Sequence, residues 1–137
     1  MLTVLVLVLD SSTPAVTAAL AEVVDGVTGN VADGVAGADG GVRLLASRCT
    51  VDARAHGELL SPQIAACLAE AGVAPTELAA VVAGLGPGPF TGLRVGLVTA
   101  ASMAHALDIP AYGVNSLDAL GLAATAATAA TAVTAAR

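Results

Sequence analysis

The sequence predicts an α/β fold built on one mixed sheet whose first three strands are antiparallel. Three strand-like segments follow one another within residues 2–51, with no helical periodicity between them. After residue 51 the apolar pattern changes to helix, strand, helix and a last short strand. A doubly wound sheet would alternate strand and helix from its beginning. The order therefore favours one lobe of a ribonuclease-H-like or actin-like (ASKHA) architecture with two main helices.

The three early strands are predicted from short apolar runs. Residues 2–9 are almost entirely Val and Leu, which is typical of a strand buried on both faces. The following residues, 10–14, are typical of a turn, because Asp and Ser bond nearby amides and Pro fixes φ. Residues 15–23 and 42–51 are the second and third strands. The Gly- and Asp-rich segment 25–41 between them is predicted to be a flexible loop.

The first helix is predicted over residues 56–71 from apolar residues at helical spacing, with Gly72 as its stop. Pro62 either kinks this helix or lies in its first turn behind Ser61 as N-cap. A strand within residues 77–86 follows.

The second helix is predicted over residues 92–107, with Thr91 as its N-cap. Gly92, Gly96 and Ala100 recur on it at four-residue spacing, and this small face would let a partner helix approach closely. The segment that follows, 109–117, holds the short final strand.

Composition limits the function classes. The net charge is −6, with five Arg and no Lys, so the chain attracts nucleic acid weakly and would meet tRNA only through another subunit. No apolar run approaches the roughly 18 residues that span a bilayer, so no membrane association is predicted. Cys49 and Cys67 have no CxxC spacing and read as buried thiols in a reducing compartment, which points to the cytoplasm.

The loop "GLGPGPFTG" is open to two interpretations. Gly86 and Gly88 can adopt positive φ, and the helix N-terminus at Thr91 and Gly92 offers free amides, so the loop is a candidate anion site. The alternative is a structural strand-to-helix turn. A P-loop is excluded because the chain has no Lys, and the glycine spacing does not match a dinucleotide fingerprint.

The turn after the first strand is a second candidate for anion or nucleotide binding. Ligands of α/β sheets bind at the carboxyl ends of strands, where Asp10, Ser11, Ser12 and Thr13 stand. The alternative is a local Asx or Ser/Thr turn that closes a hairpin.

No metal site and no catalytic residue are predicted. His56 and His105 are not spaced as a helical ligand pair, and Leu60 stands where the second ligand after His56 would be. No Gly-x-Ser-x-Gly motif surrounds any Ser. Arg94 is either a solvent-exposed residue or a bidentate contact to a carboxylate of this chain or of a partner.

Four segments, in order, resemble the amino-terminal lobe of the TsaB (YeaZ) family, formerly classed with glycoprotease-like peptidases. They are "LVLDSSTPAVTAAL", "DARAHGELLSPQIAACL", "GLGPGPFTGLRVGL" and "ALDIPAYGVNSLDAL". The resemblance implies an ASKHA lobe over residues 1–122, an Ala/Thr tail over 123–137, and no second lobe. It also implies a non-catalytic partner of TsaD, which acts with TsaE in threonylcarbamoyladenosine modification of tRNA beside the anticodon.

The same resemblance places the partner interface on the two helices and makes a homodimer an additional possibility. The catalytic relative has a His-x-x-x-His metal pair, which is His56 and Leu60 here. No intrinsic cofactor is implied, and ATP or ADP with Mg²⁺ would bind only in the complex. The alternative function is a nucleotide-binding hydrolase or a peptidase of the same fold. The expected interface residues are His56, Leu59, Leu60, Ile64, Cys67, Gly92, Arg94, Gly96, Ala100 and Met103.

Overall fold

The computed structural model describes residues 3–24, 41–52, 54–121 and 123–124. Their elements are β1 (Thr3–Asp10), β2 (Ala15–Val24), β3 (Val42–Val51), α1 (His56–Ala71), β4 (Leu78–Gly84), α2 (Phe90–Leu107) and β5 (Ala111–Val114). A short 3₁₀ turn at Pro75–Glu77 precedes β4, and residues 116–121 are helical. The predicted fold class, with an antiparallel beginning and two main helices, is confirmed.

The strands form one sheet in the order β3-β2-β1-β4-β5. β1 pairs antiparallel with β2, and β2 pairs antiparallel with β3. β4 joins the other side of β1 in parallel, and β5 joins β4 in parallel. β1 is therefore the central strand, and its carboxyl end lies beside the loops that follow β4 and β5.

The hydrophobic core lies between one face of the sheet and both helices. α1 packs on β2 and β3, and α2 packs on β4 and β1. Leu7 and Leu9 of β1 are fully buried there, and each such side chain stabilises the fold by about 1.5–3 kcal/mol. The remaining core side chains are small or aliphatic, as the scarcity of aromatic residues predicts.

The first helix spans residues 56–71 as predicted, whereas the second begins two residues earlier than predicted. α1 begins at His56 behind Ala55, so Pro62 lies inside the helix and Ser61 is not its N-cap. Burial of the helix's apolar face compensates for the roughly 3 kcal/mol that an internal Pro costs.

α2 begins at Phe90 behind Pro89, so Thr91 lies in the first turn and makes no cap. Pro89 is extended, with φ −56° and ψ 129°, and its carbonyl already accepts a bond from the Leu93 amide at 3.0 Å. The backbone of Pro89 thus begins the helix two residues before the position that the Thr side chain predicts.

Two predicted segments fall largely outside the described residues. Of the loop 25–41, only Gly41 is described, and its carbonyl accepts a bond from the Val24 amide at 2.6 Å. Of the Ala/Thr tail 123–137, only residues 123–124 are described. Within the part of the chain that the structure describes, no helix is long and apolar enough to cross a membrane.

Candidate functional site

The carboxyl end of β1 holds two consecutive buried serines that bind different elements. Ser11 and Ser12 are each 1 % exposed. Ser11 bonds to α2, whereas Ser12 bonds to Ser116 beyond β5. Two cavities open beside this turn, one on the side of the helices and one beside Ser116.

The Ser11 hydroxyl is inserted into the hydrogen-bond ladder of α2. Its Oγ donates to the Gly92 carbonyl at 2.6 Å and accepts from the Gly96 amide at 2.8 Å. In a regular helix that amide would donate directly to that carbonyl, four residues earlier. A Cβ on Gly96 would lie 2.6 Å from the Ser11 Oγ, so glycine is required for the approach.

The small-residue face of α2 therefore contacts this chain itself, which makes the predicted partner-helix surface wrong. Gly96 faces Ser11, and Ala100 is 2 % exposed. A Cβ on Gly92 would meet the His56 ring and the Ser11 carbonyl at 3.2–3.3 Å. The three residues allow α2 to approach the β1–β2 turn closely.

Several other predicted interface residues also lie in the core. Leu60, Ile64 and Cys67 are at most 6 % exposed, and His56 is 7 % exposed. Leu59 and Met103 are partly buried against the same core. Helical periodicity identifies an apolar face correctly, but here that face covers the sheet, so the buried members of the set are not available to a partner. Arg94 is the only member of the predicted set whose side chain is exposed.

The outward face of α2 carries a stripe that the sequence reasoning missed. Phe90 and Val98 are 71 % and 58 % exposed, and Arg94 lies between them at four-residue spacing. The Arg94 guanidinium stands 4.9 Å from the centre of the Phe90 ring, within cation–π range. The sequence does contain a pattern that predicts this stripe, because Phe90 and Val98 recur with the helix period outside the small-residue face.

Asp10 is held by one local and one long-range hydrogen bond. Its Oδ1 accepts from the Ser12 amide at 2.8 Å, and its Oδ2 accepts from the Ser116 hydroxyl at 2.8 Å. The Ser116 oxygen in turn accepts from the Gly86 amide at 3.1 Å. The carboxylate thus ties the end of β1 to the loops after β4 and β5, and it lines a cavity of about 340 Å³.

The glycines of the loop after β4 serve close packing. Gly86 has φ +89°, which favours glycine, and a Cβ on Gly88 would overlap the Ser12 carbonyl. Neither glycine lines the cavities described beside the turn. The predicted anion-binding set is thereby divided: Asp10 and Ser12 line one cavity, Thr13 lines both cavities, and the others line the second cavity or none.

The second cavity, of about 240 Å³, lies between the N-terminal ends of α1 and α2. His56 lines it and its Nε2 donates to the Thr13 carbonyl at 2.7 Å, since a carbonyl can only accept. Four predicted anion-binding residues meet here, together with Arg54, which was not predicted. The four are Ser11, Thr13, Thr91 and Gly92.

Neither cavity has the ligands of a metal centre. The described residues contain no group of three His, Cys, Asp or Glu side chains placed to hold a metal ion. Leu60, one turn after His56, is 1 % exposed and packs in the core.

A mixed five-stranded sheet with both main helices on one face, and hydroxyl-bearing turns at the carboxyl end of the central strand, defines an actin-like lobe. The chain belongs to the family described as TsaD, tRNA N6-adenosine threonylcarbamoyltransferase, which matches residues 48–136. Its resemblance to YeaZ (TsaB) is also confirmed. "YeaZ from Pseudomonas aeruginosa" superposes with a TM-score of 0.63 at 31 % identity, over 82 % of this chain and 44 % of that one.

The chain is also similar in sequence to other proteins. Protein Mb3455c of Mycobacterium bovis is 49 % identical over 116 residues, which are 85 % of this chain and 47 % of that protein. A tRNA N6-adenosine threonylcarbamoyltransferase of Novosphingobium aromaticivorans is 50 % identical over 68 residues, or 50 % of this chain and 19 % of that enzyme. The chain thus spans about half the length of the mycobacterial relative, and less of the transferase.

Proposed function

We propose that this chain is a non-catalytic partner subunit that binds a TsaD-like catalytic protein in the threonylcarbamoyladenosine modification of tRNA. The observation that carries the proposal is the exposed stripe of Phe90, Arg94 and Val98 on α2. We call these three residues the α2 stripe. The family membership and the YeaZ likeness supply the pathway.

The chemistry of the described residues supports an accessory role. The catalytic relative's His-x-x-x-His pair would need a ligand at Leu60, which is an alkyl side chain buried in the core. Asp10 has both oxygens engaged by Ser12 and Ser116. The Ser116 hydroxyl beside Asp10 is itself engaged in linking this carboxylate to the Gly86 amide, so the proposal assigns catalysis to the partner.

The α2 stripe has the composition of an interaction surface. Burying a large apolar side chain is worth about 1.5–3 kcal/mol, and aromatic residues and Arg dominate the energetics of protein interfaces. Arg94 stacks on Phe90, so the guanidinium and the ring form one continuous exposed surface. A partner that covers the stripe would bury two large apolar side chains that water now contacts.

We propose that tRNA, the ATPase and the nucleotide interact with the assembled complex rather than with this chain alone. With a net charge of −6, the chain would meet tRNA only through the partner, and a TsaE-like ATPase with ATP or ADP and Mg²⁺ would act on the assembled complex. The cytoplasm is the proposed compartment, consistent with Cys49 and Cys67 being free. A second copy of the chain is a competing occupant of the same stripe.

The test is co-elution with the TsaD-like protein of the same host in size-exclusion chromatography, with light scattering on each protein alone to detect homodimers. We expect Phe90→Ala and Val98→Arg each to weaken binding about tenfold or more, because each removes apolar contact area or buries a charge. The matched control is Val42→Arg, since Val42 is 60 % exposed on the edge strand β3.

The proposed docking surface is wrong if the stripe variants bind like the unmodified chain, or if Val42→Arg weakens binding equally. Absence of any complex with the unmodified chain would overturn the partner role itself. Gly96→Leu is not a useful variant, because its side chain would collide with Ser11 and disturb the fold.

A further inference from the structure

The sheet has a second apolar face, on the side opposite α1 and α2. Successive side chains of a strand point to opposite faces, so the burial of Leu7 against the helices turns Val6 and Val8 the other way. Their neighbours in register are Ala21 and Ala19 on β2, and Ala80 and Val82 on β4. We call these six residues, none of which is polar, the outer face.

The centre of the outer face is buried, although the helices lie on the other side of the sheet. Val6, Ala21 and Ala80 are each at most 9 % exposed, yet none of them belongs to the hydrophobic cluster between the sheet and the helices. The alanines beside Val6 are too short to shield it from water by themselves. In stable domains an apolar sheet face is covered by a further layer. The burial of these three side chains therefore indicates that another segment covers the outer face.

The helical stretch at 116–121 leads onto this face from one end. Ala119 lies over the sheet, because it lines a cavity of about 140 Å³ together with the outer-face valines of β1 and β4. Residues 123–124 are helical as well, and residues 125–137 follow them in the sequence. The described chain thus directs its next segment toward the outer face.

The sequence of that segment has one apolar side. At helical spacing, Ala126, Ala130 and Val133 fall on the same side as Ala119, because they follow it by seven, eleven and fourteen residues. Thr128 falls on the opposite side. The pattern predicts a segment that places small apolar side chains against a surface and hydroxyl groups toward water.

The length of the segment also fits the outer face. A helical segment over 125–137 would extend about 20 Å, whereas the three central strands together are about 14 Å wide. Alanine side chains allow close approach to the alanines of β2 and β4.

We propose that residues 125–137 of this chain pack on the outer face as a third layer of the fold, with Ala126, Ala130 and Val133 against the sheet. An isolated Ala- and Thr-rich helix of this length is marginal in water, so its order would depend on contact with the sheet. The segment is then part of the lobe rather than a separate tail. The proposal is independent of the α2 stripe, because α2 packs on the other face of the sheet.

The test is methyl NMR on the full chain, with a water-soluble paramagnetic agent that relaxes exposed methyl groups. We expect the methyl groups of Val6 to be relaxed as weakly as those of Leu7 in the core, and much more weakly than those of Val98, which is 58 % exposed. Nuclear Overhauser effects from the outer face to the methyl groups of Ala126 or Ala130 should identify the covering segment.

Ala126→Asp in the full chain should increase the paramagnetic relaxation of Val6 about threefold or more, because a carboxylate is not accommodated against an apolar sheet face. Thr128→Asp is the matched control, since it adds the same charge on the opposite side of the segment and should leave Val6 protected.

A mixture of two differently labelled samples distinguishes this segment from a second copy of the chain. Overhauser effects within one chain support the proposal, whereas effects only between chains would show that a second copy covers the outer face. The proposal is overturned by that result, by contacts that come from residues 25–40 instead, by rapid relaxation of Val6 in the unmodified chain, or by equal effects of Ala126→Asp and Thr128→Asp.

Discussion

At the scale of single residues, the two cysteines occupy contrasting environments. Cys67 is fully buried on α1, and its thiol donates to the Ala18 carbonyl at 3.4 Å, while Cys49 is exposed on β3. Burial raises the pKa of the Cys67 thiol above its ordinary value of 9.0; Arg48 lowers this pKa and Glu70 raises it. The sequence reasoning treated both cysteines as buried, and this is correct only for Cys67.

We expect iodoacetamide at mildly alkaline pH to alkylate Cys49 rapidly and Cys67 only after unfolding, because the thiolate is the nucleophile. Mass spectrometry of time points measures both rates, and Cys49→Ser isolates the buried thiol. Equal labelling of the two thiols in the folded chain would contradict the described burial.

The same pKa shift has a consequence for stability. The stabilising contribution of the protonated Cys67 is fully present below about pH 9 and declines as the pH rises through the higher folded pKa, because the unfolded chain releases this proton first.

At the scale of elements, α2 has two faces with different roles. Its inward face is fixed by Ser11, whose hydroxyl joins Gly92 and Gly96 of the helix. Its outward face carries the α2 stripe. Because one hydroxyl holds the helix against the β1–β2 turn, the position of the stripe depends on a contact made on the opposite side of the helix.

Ser11→Ala should lower the free energy of unfolding by about 1–3 kcal/mol, since it removes a buried donor and acceptor. Urea denaturation followed by circular dichroism measures this. Ser102→Ala, the same change on the exposed side of α2, should alter stability by no more than about 0.5 kcal/mol. A Ser11→Ala variant as stable as the control would show that the inserted hydroxyl contributes nothing.

The sequence predicted the strands well because their signal is local. Residues 2–9 and 42–51 are β1 and β3 within one residue at each end, as expected of Val- and Leu-rich runs between turn residues. The start of α2 was missed because Pro89 begins the helix without a side-chain cap, whereas the prediction relied on the capping preference of Thr91. For α1, which spans residues 56–71 as predicted, only the alternative with Ser61 as N-cap is wrong.

The candidate site was predicted only in part, for a different physical reason. A small-residue face on a helix indicates that another segment packs closely against it, but the sequence does not identify that segment. Here the segment contains Ser11, which is 81 residues away from Gly92. The same applies to Ser116, which holds Asp10 from 106 residues away. Such pairings depend on the sheet order rather than on any local pattern.

At the scale of the whole molecule, the cavities of about 340 and 240 Å³ beside the end of β1 are chemically distinct. One is lined by Asp10, whose charge is satisfied by hydrogen bonds, and the other by Arg54 and His56. A site for Mg²⁺ with a nucleotide needs available carboxylate oxygens, and an oxyanion site needs donors. The cavity on the side of the helices therefore has hydrogen-bond donors, whereas the carboxylate in the other cavity already accepts two hydrogen bonds.

Isothermal titration calorimetry with ATP and Mg²⁺ should therefore detect no tight binding that depends on both Mg²⁺ and Asp10. Asp10→Ala should leave the ATP heats unchanged and lower the thermal midpoint, because the Ser12 amide and the Ser116 hydroxyl lose their acceptor. Tight Mg²⁺-dependent binding that Asp10→Ala abolishes would instead favour the nucleotide hydrolase.

The position of Tyr112 gives the molecule a built-in optical reporter. The chain has no Trp and one Tyr, and Tyr112 is 59 % exposed on β5, where it pairs with Val82. All tyrosine fluorescence therefore comes from this side of the sheet. A protein without tryptophan or tyrosine that quenches this emission on binding must alter the surroundings of β5, whereas one that covers only the α2 stripe should leave the emission unchanged.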